Sequence, residues 1–313
     1  MKTYLYEGRE DVYIDAYYPR NTGKNKAKGG GAPALQAKGD VSSSLQAKGD
    51  GAPTLQTKGD VSSSLQTKGG GASVLQAKGD VSSSSQAKGG GAPAFNIEGP
   101  LPAALICPGG GYYVIGTTEG RPVSDKFTDA GYAAFILRYT VGEGADFGPE
   151  GFGSFAPARD LDAAMRLLHE NAEGFGIDPA EIVLAGFSAG GHLCAAWCFS
   201  GAFANANRLP KALILTYPMG GGPDSSGEGK PQPGFDIARM PYTDDPAAKN
   251  LPTFMWHAKD DAMVPFAASE RLSARLEAEG VPHAFIAYEH GIHARPFYDP
   301  DWFNKALAWL ASL

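Results

Sequence analysis

Cysteine, long apolar runs and net positive charge are all scarce in this chain. The 313 residues include three cysteines (Cys107, Cys194 and Cys198), too few for a disulfide framework. No apolar run approaches the roughly 18 residues of a membrane span, and the first residues lack the apolar core of a signal peptide. The net charge of −7 gives no reason to expect nucleic-acid binding. These absences predict a soluble, cytoplasmic protein with neither a membrane nor a nucleic-acid partner.

Residues 21–95 form a tandem array in which lysine recurs every ten residues. Blocks such as Gly-Gly-Gly-Ala-Pro-Ala-Leu-Gln-Ala-Lys alternate with Gly-Asp-Val-Ser-Ser-Ser-Leu-Gln-Ala-Lys, so the full period is twenty. The array carries nine lysines and four aspartates, without Arg or Glu, so the rest of the chain carries −12. The little apolar surface in each block cannot offset an ordering cost of about 1–2 kcal/mol per residue. We therefore predict a disordered low-complexity insertion, with a β-solenoid as the alternative.

The remaining residues, 1–20 and 96–313, have the pattern of a single α/β domain. Two opening strands, at 4–6 and 11–18, are joined by a hairpin-like turn and precede alternating strands and helices. The later strands are expected at 103–107, 132–137, 182–186, 212–216, 253–257 and 284–288, and the helices at 122–130, 159–170, 189–200, 266–279 and 302–310. This alternation predicts a mostly parallel central sheet with helices on both faces. In such sheets, active sites gather at the carboxyl ends of the strands.

The pentapeptide Gly186-Phe187-Ser188-Ala189-Gly190 lies between an apolar strand and the start of a helix. This is the Gly-x-Ser-x-Gly pattern in the strand–turn–helix context of a nucleophile elbow. A serine on a sharp turn after a buried strand holds its hydroxyl above the sheet, and the helix N-terminus offers N–H groups to an oxyanion. The pattern predicts Ser188 as a nucleophile. The alternative is an ordinary strand–helix turn rich in Gly and Ser.

A run of three glycines, residues 109–111, follows the strand expected at 103–107. A serine hydrolase of this architecture needs its second oxyanion donor at this position. We expect the oxyanion to be bound by the N–H groups of Gly110, Gly111 and Ala189. A flexible glycine loop is the alternative, and a phosphate-binding loop is disfavoured because no Gly-Lys-Ser/Thr follows.

Two aspartates and two histidines compete for the remaining catalytic roles. Asp260 and Asp261 follow the strand at 253–257, where an acid would orient a histidine, although either could instead cap the next helix. The chain order Ser, Asp, His leaves the histidines after them. His283 precedes the last strand and belongs at the wrong end of the sheet, whereas His290 and His293 follow it. His293, which comes after Gly-x, is favoured over His290.

Neither a metal nor a cofactor is expected. Cys194 and Cys198 are four residues apart on a predicted helix with His192 close by, which could form one edge of a metal site. Small buried helix residues are the simpler interpretation. No nicotinamide-binding fingerprint follows the first strand.

Several segments together resemble the acetyl esterase/acetylxylan esterase-like branch of the α/β-hydrolase fold, often labelled BD-FAE. They span 11–18 and 101–313 and include Pro108-Gly109-Gly110-Gly111-Tyr112, Glu119-Gly120-Arg121-Pro122-Val123, Gly131-Tyr132, Leu137-Arg138-Tyr139, Gly186-Phe187-Ser188-Ala189-Gly190-Gly191-His192-Leu193 and Asp261-x-x-Val264-Pro265. The resemblance implies that Ser188, Asp261 and His293 form a triad, with the oxyanion hole at Gly110, Gly111 and Ala189.

The chain departs from this branch at two places. The array stands where the family has a short loop, and Ala294 stands where many relatives have glycine after the histidine. Alanine is tolerable there unless the position requires a positive φ.

The resemblance implies a serine carboxylester hydrolase acting on small acyl esters, chiefly acetyl esters, including those of carbohydrates. Tyr112, Tyr113 and Tyr217 are expected either as walls of its substrate pocket or as core packing. A prolyl-oligopeptidase-type peptidase shares this catalytic domain, but the chain has no propeller-sized N-terminal region. A non-catalytic scaffold that displays the repeat is a third interpretation, and the complete set of triad residues argues against it.

Overall fold

The computed structural model describes residues 1–6, 8–19, 99–145, 151–203, 206–220, 236–298 and 301–313, together with five short strand backbones in the array. The strands are β1 Lys2–Tyr4, β2 Tyr13–Tyr17, β3 Leu35–Lys38, β4 Leu45–Lys48, β5 Leu55–Lys58, β6 Ser63–Lys68, β7 Ala72–Ala77, β8 Leu101–Cys107, β9 Ala133–Arg138, β10 Ile177–Phe187, β11 Ala212–Thr216, β12 Thr253–Ala258 and β13 His283–Tyr288. The α-helices are α1 Arg121–Asp129, α2 Ala156–Glu170, α3 Ala172–Phe175, α4 Ala189–Phe199, α5 Pro246–Lys249, α6 Ala267–Ala278 and α7 Asp301–Leu310.

The sheet that positions the site has the order β1-β2-β9-β8-β10-β11-β12-β13. The six strands from β9 to β13 in this order are parallel to one another, whereas β2 runs antiparallel to β9 and β1 runs antiparallel to β2. The sheet continues beyond β1 through the array strands β4, β7 and β6. Parallel neighbours bring their carboxyl ends to the same edge of the sheet. The segments that follow β8, β10, β11, β12 and β13 therefore meet there.

Helices cover both faces of the sheet, which is why its inner strands are apolar without alternation. Along β8, Leu105 belongs to one apolar cluster and its neighbour Ile106 belongs to the other, and both are fully buried. The first cluster includes side chains from α2, α4 and α6, and the second includes side chains from α1 and α7. The predicted mostly parallel sheet with helices on both faces is confirmed.

Two predicted boundaries differ from the structure for identifiable reasons. The first strand is Lys2–Tyr4, two residues earlier than predicted, because its pairing with β2 joins Lys2 to Asp15 and Tyr4 to Tyr13. Strand β10 begins at Ile177, five residues before the predicted strand. Its pairing with β8 shifts register between Ile177 and Ile182, and this irregular stretch contains a proline and two acidic residues that hide the strand pattern.

The five strands of the array fall on related parts of successive blocks. Three of them, β3, β4 and β5, span the Leu-Gln-x-Lys tetrapeptide, and β4 pairs with β1. Most of the predicted disordered segment, residues 21–95, lies outside the described residues, so its disorder stays a prediction.

Candidate active site

Ser188 occupies a tight turn between β10 and α4, where its φ of +51° is uncommon for a non-glycine residue. The flanking glycines explain how the chain reaches this turn. A Cβ on Gly186 would lie 2.5 Å from the carbonyl oxygen of Gly190, and a Cβ on Gly190 would lie 2.0 Å from that of Cys107. The glycines thus allow the helix to approach both β10 and β8. Backbone strain like that at the positive φ of Ser188 is typical of functional sites.

Ser188, His293 and Asp261 form one hydrogen-bonded line across three strand ends. The Oγ of Ser188 lies 2.9 Å from Nε2 of His293, and Nδ1 of His293 lies 2.7 Å from Oδ2 of Asp261. A carboxylate can only accept, so Nδ1 carries the proton and Nε2 accepts from the serine hydroxyl. This is the tautomer that a general base requires. All three side chains are nearly buried, with His293 6% exposed and Asp261 2%.

Asp261 is held by four hydrogen bonds that involve both of its oxygens. Oδ1 accepts from the backbone N–H groups of Met263 and Val264, each at 2.9 Å. Oδ2 accepts from Nε2 of the buried His257 at 3.1 Å, besides His293. Burial favours the neutral acid, but the hydrogen bonds from His257 and His293 and the field of His293 outweigh it and hold the pKa of Asp261 well below its usual range. Asp261 is therefore a fixed anion beside the imidazole.

The competing candidates, Asp260 and His290, pair with each other instead. Oδ2 of Asp260 lies 2.8 Å from Nδ1 of His290, and both side chains are largely exposed. His283 is the first residue of β13, at the opposite end of that strand, where its Nε2 lies 2.8 Å from the Oγ of Ser273. Of the six histidines, His293 is the one that the structure brings to Ser188.

The glycine loop after β8 lies directly against the elbow. A Cβ on Gly109 would lie 2.7 Å from the Cβ of Ser188. Gly110 and Gly111 have φ values of +123° and +63°, which L side chains rarely adopt. The first N–H groups of α4, beginning at Ala189, have no acceptor within the helix. The glycine loop and the N-terminus of α4 therefore lie side by side at Ser188.

Glu119 is a site residue to which the sequence analysis gave no role beyond its place in a family motif. Its side chain is 1% exposed. Oε2 accepts from the N–H of Gly109 at 2.7 Å, and Oε1 accepts from the hydroxyl of Tyr217 at 2.9 Å. Burial raises the pKa of Glu119, against the opposing effects of these two hydrogen bonds and of His293. Its partners are 10 and 98 residues away in the chain, so no local spacing could have revealed them.

The three tyrosines expected as pocket walls differ in exposure. Tyr113 is 82% exposed, whereas Tyr112 and Tyr217 are buried. The hydroxyl of Tyr112 lies 2.8 Å from Nδ1 of His192, and the ring centroid of Tyr217 lies 4.8 Å from that of His293. Tyr112 thus packs in the interior against His192, and Tyr217 packs against His293. A wall role for any of the three stays a prediction.

The cysteines Cys107, Cys194 and Cys198 are all buried free thiols. Among the residues that the structure describes, no group of three or more His, Cys, Asp or Glu side chains could hold a metal ion. Within the same described part of the chain, no helix is both long enough and apolar enough to cross a membrane.

Ala294 has a φ of +58°. This is the positive φ that alanine was expected to tolerate poorly. We expect Ala294→Val to lower the free energy of unfolding by about 1–3 kcal/mol, since a β-branched residue is strained in this region. Ala294→Gly should change it by less than about 1 kcal/mol, because relief of strain is offset by the greater entropy of the unfolded chain. Urea unfolding of the three proteins measures the order. A valine variant as stable as the wild type would contradict this backbone geometry.

Known proteins resemble this chain in both sequence and structure. Residues 94–213 match the BD-FAE family model, which covers the glycine loop and Ser188 but ends before Asp261 and His293. The structure of MGS-M1, an α/β-hydrolase enzyme from a Medee basin deep-sea metagenome library, superimposes with a TM-score of 0.56 at 25% identity, over 81% of this chain and 98% of the other. The chain has the α/β-hydrolase fold. The resemblance to the BD-FAE branch is likewise confirmed.

Other proteins that are similar to this chain have names that refer to xylan, to xylosides or to acetyl esters. An acetyl ester-xyloside bifunctional hydrolase from Caldicellulosiruptor lactoaceticus superimposes with a TM-score of 0.56 at 28% identity, over 70% of this chain and 85% of the other. Endo-1,4-beta-xylanase B of Butyrivibrio fibrisolvens is 25% identical over 62% of this chain. An acetylxylan esterase of Xylanibacter ruminicola is 34% identical over 35% of it. The chain spans 32% and 21% of the lengths of these two curated relatives.

Proposed function

We propose that this α/β-hydrolase is a serine carboxylester hydrolase that cleaves small acyl esters by two-step acyl transfer. The observation that carries the proposal is the hydrogen-bonded line from Ser188 through His293 to Asp261, beside the glycine loop that follows β8. Nucleophile, base and acid each follow a different strand, in the chain order of this fold. The exposed pair Asp260 and His290 offers no such connection to Ser188.

In the first step, Oγ of Ser188 attacks the ester carbonyl while Nε2 of His293 takes its proton. Asp261 keeps the imidazole in the required tautomer and stabilises the positive charge that develops on it. The N–H groups of Gly110, Gly111 and Ala189 donate to the oxyanion, where preorganised donors lower the barrier most. His293 then protonates the departing alcohol, and water attacks the acyl-enzyme by the same route in reverse.

The substrate class that we propose is an acetyl ester, with an acetylated carbohydrate as the alcohol. The support comes from the names of two relatives, the acetylxylan esterase and the acetyl ester-xyloside bifunctional hydrolase. The exposed ring of Tyr113, two residues after Gly111, offers a flat surface beside the glycine loop on which a sugar ring could rest.

Three substrates separate this proposal from its alternatives: a short-chain aryl acetate, an acetylated xylooligosaccharide and a prolyl peptide. We expect both acetates to be hydrolysed and the peptide to survive. Cleavage of the peptide with neither ester turned over would favour a prolyl-oligopeptidase-type peptidase. A protein inert towards all three, yet folded by circular dichroism, would favour a scaffold that displays the repeat.

The array contributes none of the residues in the hydrogen-bonded line, since Ser188, Asp261 and His293 all follow it in the chain. We propose that residues 1–20 and 96–313 form the whole catalytic domain. Deleting residues 22–94 should leave a folded enzyme with kcat within about threefold of the full chain, because a loop insertion adds closure entropy only logarithmically with length. Steady-state kinetics with an aryl acetate measure this. Loss of activity with an unchanged melting temperature would assign the array a part in catalysis.

A further inference from the structure

We infer that Glu119 is a positioning residue that fixes the oxyanion loop relative to the catalytic histidine through Gly109 and Tyr217. The inference rests on the proposed function, because it assigns Glu119 a part in the same reaction. The carboxylate of Glu119 accepts hydrogen bonds from Gly109 and Tyr217 and not from Ser188. Its effect must therefore pass through the two residues that it holds.

On the loop side, the carboxylate fills the space between Gly109 and Gly116. Oε2 of Glu119 accepts from the N–H of Gly109 at 2.7 Å. A Cβ added to either glycine would lie 2.7 Å from this same oxygen. The N–H of Gly116 in turn donates to the carbonyl of Gly109 at 2.8 Å. Gly109 directly precedes the proposed donors, and both its N–H and its carbonyl group are thus held by hydrogen bonds.

On the histidine side, the link runs through Tyr217, the residue after β11. Its hydroxyl donates to Oε1 of Glu119 at 2.9 Å, and its ring centroid lies 4.8 Å from that of His293. The backbone of Tyr217 is held in turn, because its N–H donates to the carbonyl of Trp256 at 2.8 Å. Its φ of +38° is uncommon for an aromatic residue. Such strain at a site is consistent with a geometry kept for function.

Burial of this carboxylate lowers the free energy of unfolding. A purely structural residue would raise the free energy of unfolding, so this effect distinguishes a positioning role from a structural one. Burial raises the pKa of Glu119 despite its hydrogen bonds. Between the unfolded and folded pKa values the folded state binds more protons, so the stability falls as the pH rises through that window. Ionisation of Glu119 in the folded state therefore lowers the free energy of unfolding. A neutral isostere should be at least as stable.

Glu119→Ala and Glu119→Gln separate the two roles. Alanine removes both hydrogen bonds, so we expect kcat to fall on the order of 10²-fold while KM changes less than about threefold, because a small displacement of the donors costs mainly transition-state stabilisation. Glutamine can accept from Gly109 and donate to the Tyr217 oxygen, so kcat should return to within about fivefold of the wild type. Its melting temperature at neutral pH should equal or exceed that of the wild type.

Tyr217→Phe keeps the ring beside His293 but removes one of the two links. We expect kcat to fall about threefold to tenfold with KM little changed. This variant and Glu119→Gln keep the inference testable even if Glu119→Ala does not fold.

Asp160→Asn is the matched control. Asp160 is also buried, accepts from the backbone N–H of Thr140 at 2.7 Å, and has a pKa raised by burial. We expect the kcat of Asp160→Asn to stay within about twofold of the wild-type value.

A boronic acid that forms a tetrahedral adduct on Ser188 supplies a second readout. In Glu119→Ala its inhibition constant should rise by about the factor by which kcat/KM falls, since both report binding of the tetrahedral state. Two results would overturn the inference: a Glu119→Ala enzyme with wild-type kcat, or a Glu119→Gln enzyme as impaired as Glu119→Ala. Either result with Ser188→Ala inactive would remove the role of Glu119 alone. An active Ser188→Ala would instead remove the proposed function.

Discussion

Ser188→Ala is expected to lower kcat for an aryl acetate by on the order of 10⁴-fold or more, the scale seen when the nucleophile of a triad is removed. The oxygen that is lost is the proposed nucleophile, and it lies 2.9 Å from Nε2 of His293, the proposed base. Residual hydrolysis should persist, because the backbone donors and the binding site remain. The backbone strain at φ +51° is borne equally by alanine, so we expect the melting temperature to change little.

Ser124→Ala is the matched control for this prediction. Ser124 is also buried, but its hydroxyl lies on α1 and has no hydrogen-bond partner among the residues that the structure describes. Removing an unpaired buried hydroxyl should leave kcat unchanged and should not lower the stability. Ester turnover by Ser188→Ala at the wild-type rate would contradict the mechanism, whatever the substrate. Equal losses in both variants would indicate damage to the fold.

The second large effect on kcat is expected to distinguish Asp261 from its neighbour Asp260, and His293 from the nearby His290. Asp261→Asn should lower kcat by about 10⁴-fold, because an amide beside Nδ1 favours the tautomer whose Nε2 cannot accept the serine proton. Asp260→Asn should change kcat by less than about twofold, since its exposed pair with His290 is worth little. His293→Ala should be as inactive as Ser188→Ala, and His290→Ala should retain the wild-type rate.

These four variants are compared with one substrate, and their melting temperatures are measured in parallel. Asp261 has a depressed pKa in the folded state, so its ionised form adds stability above the unfolded pKa, and that stability is lost as the pH falls through the folded value. Asp261→Asn should therefore also melt lower at neutral pH. A larger loss of kcat in Asp260→Asn than in Asp261→Asn would contradict this assignment, because it would identify Asp260 as the catalytic acid.

The sequence was most informative where local chemistry leaves few choices. Strand β11 was predicted at its observed bounds, 212–216, because a strand covered on both faces is a short uninterrupted apolar run. The elbow was recognisable because no other residue fits beside Ser188, where added Cβ atoms at Gly186 and Gly190 would meet backbone atoms within 2.5 Å. In both cases the constraint acts over a few residues and is therefore written in the local sequence.

The sequence was least informative where a contact joins distant segments. Asp260 and Asp261 are adjacent carboxylates, and from residue pattern alone either could be the acid. The turn after β12 separates them, because it buries Asp261 beside His257 and leaves Asp260 half-exposed. Glu119 was overlooked for the same reason, since its link to Tyr217 spans 98 residues. The positive φ of Ala294 likewise follows from the loop that carries His293 and not from the identity of alanine.

The most direct test of the account is to find where the acyl group is carried during turnover. The enzyme is mixed with an aryl acetate, quenched in acid within one turnover, digested and examined by mass spectrometry. We predict one acetyl group on Ser188 in the wild type and none at that position in Ser188→Ala. Acetyl transferred to a different residue, or full turnover by a protein that never carries acetyl on Ser188, would contradict the account.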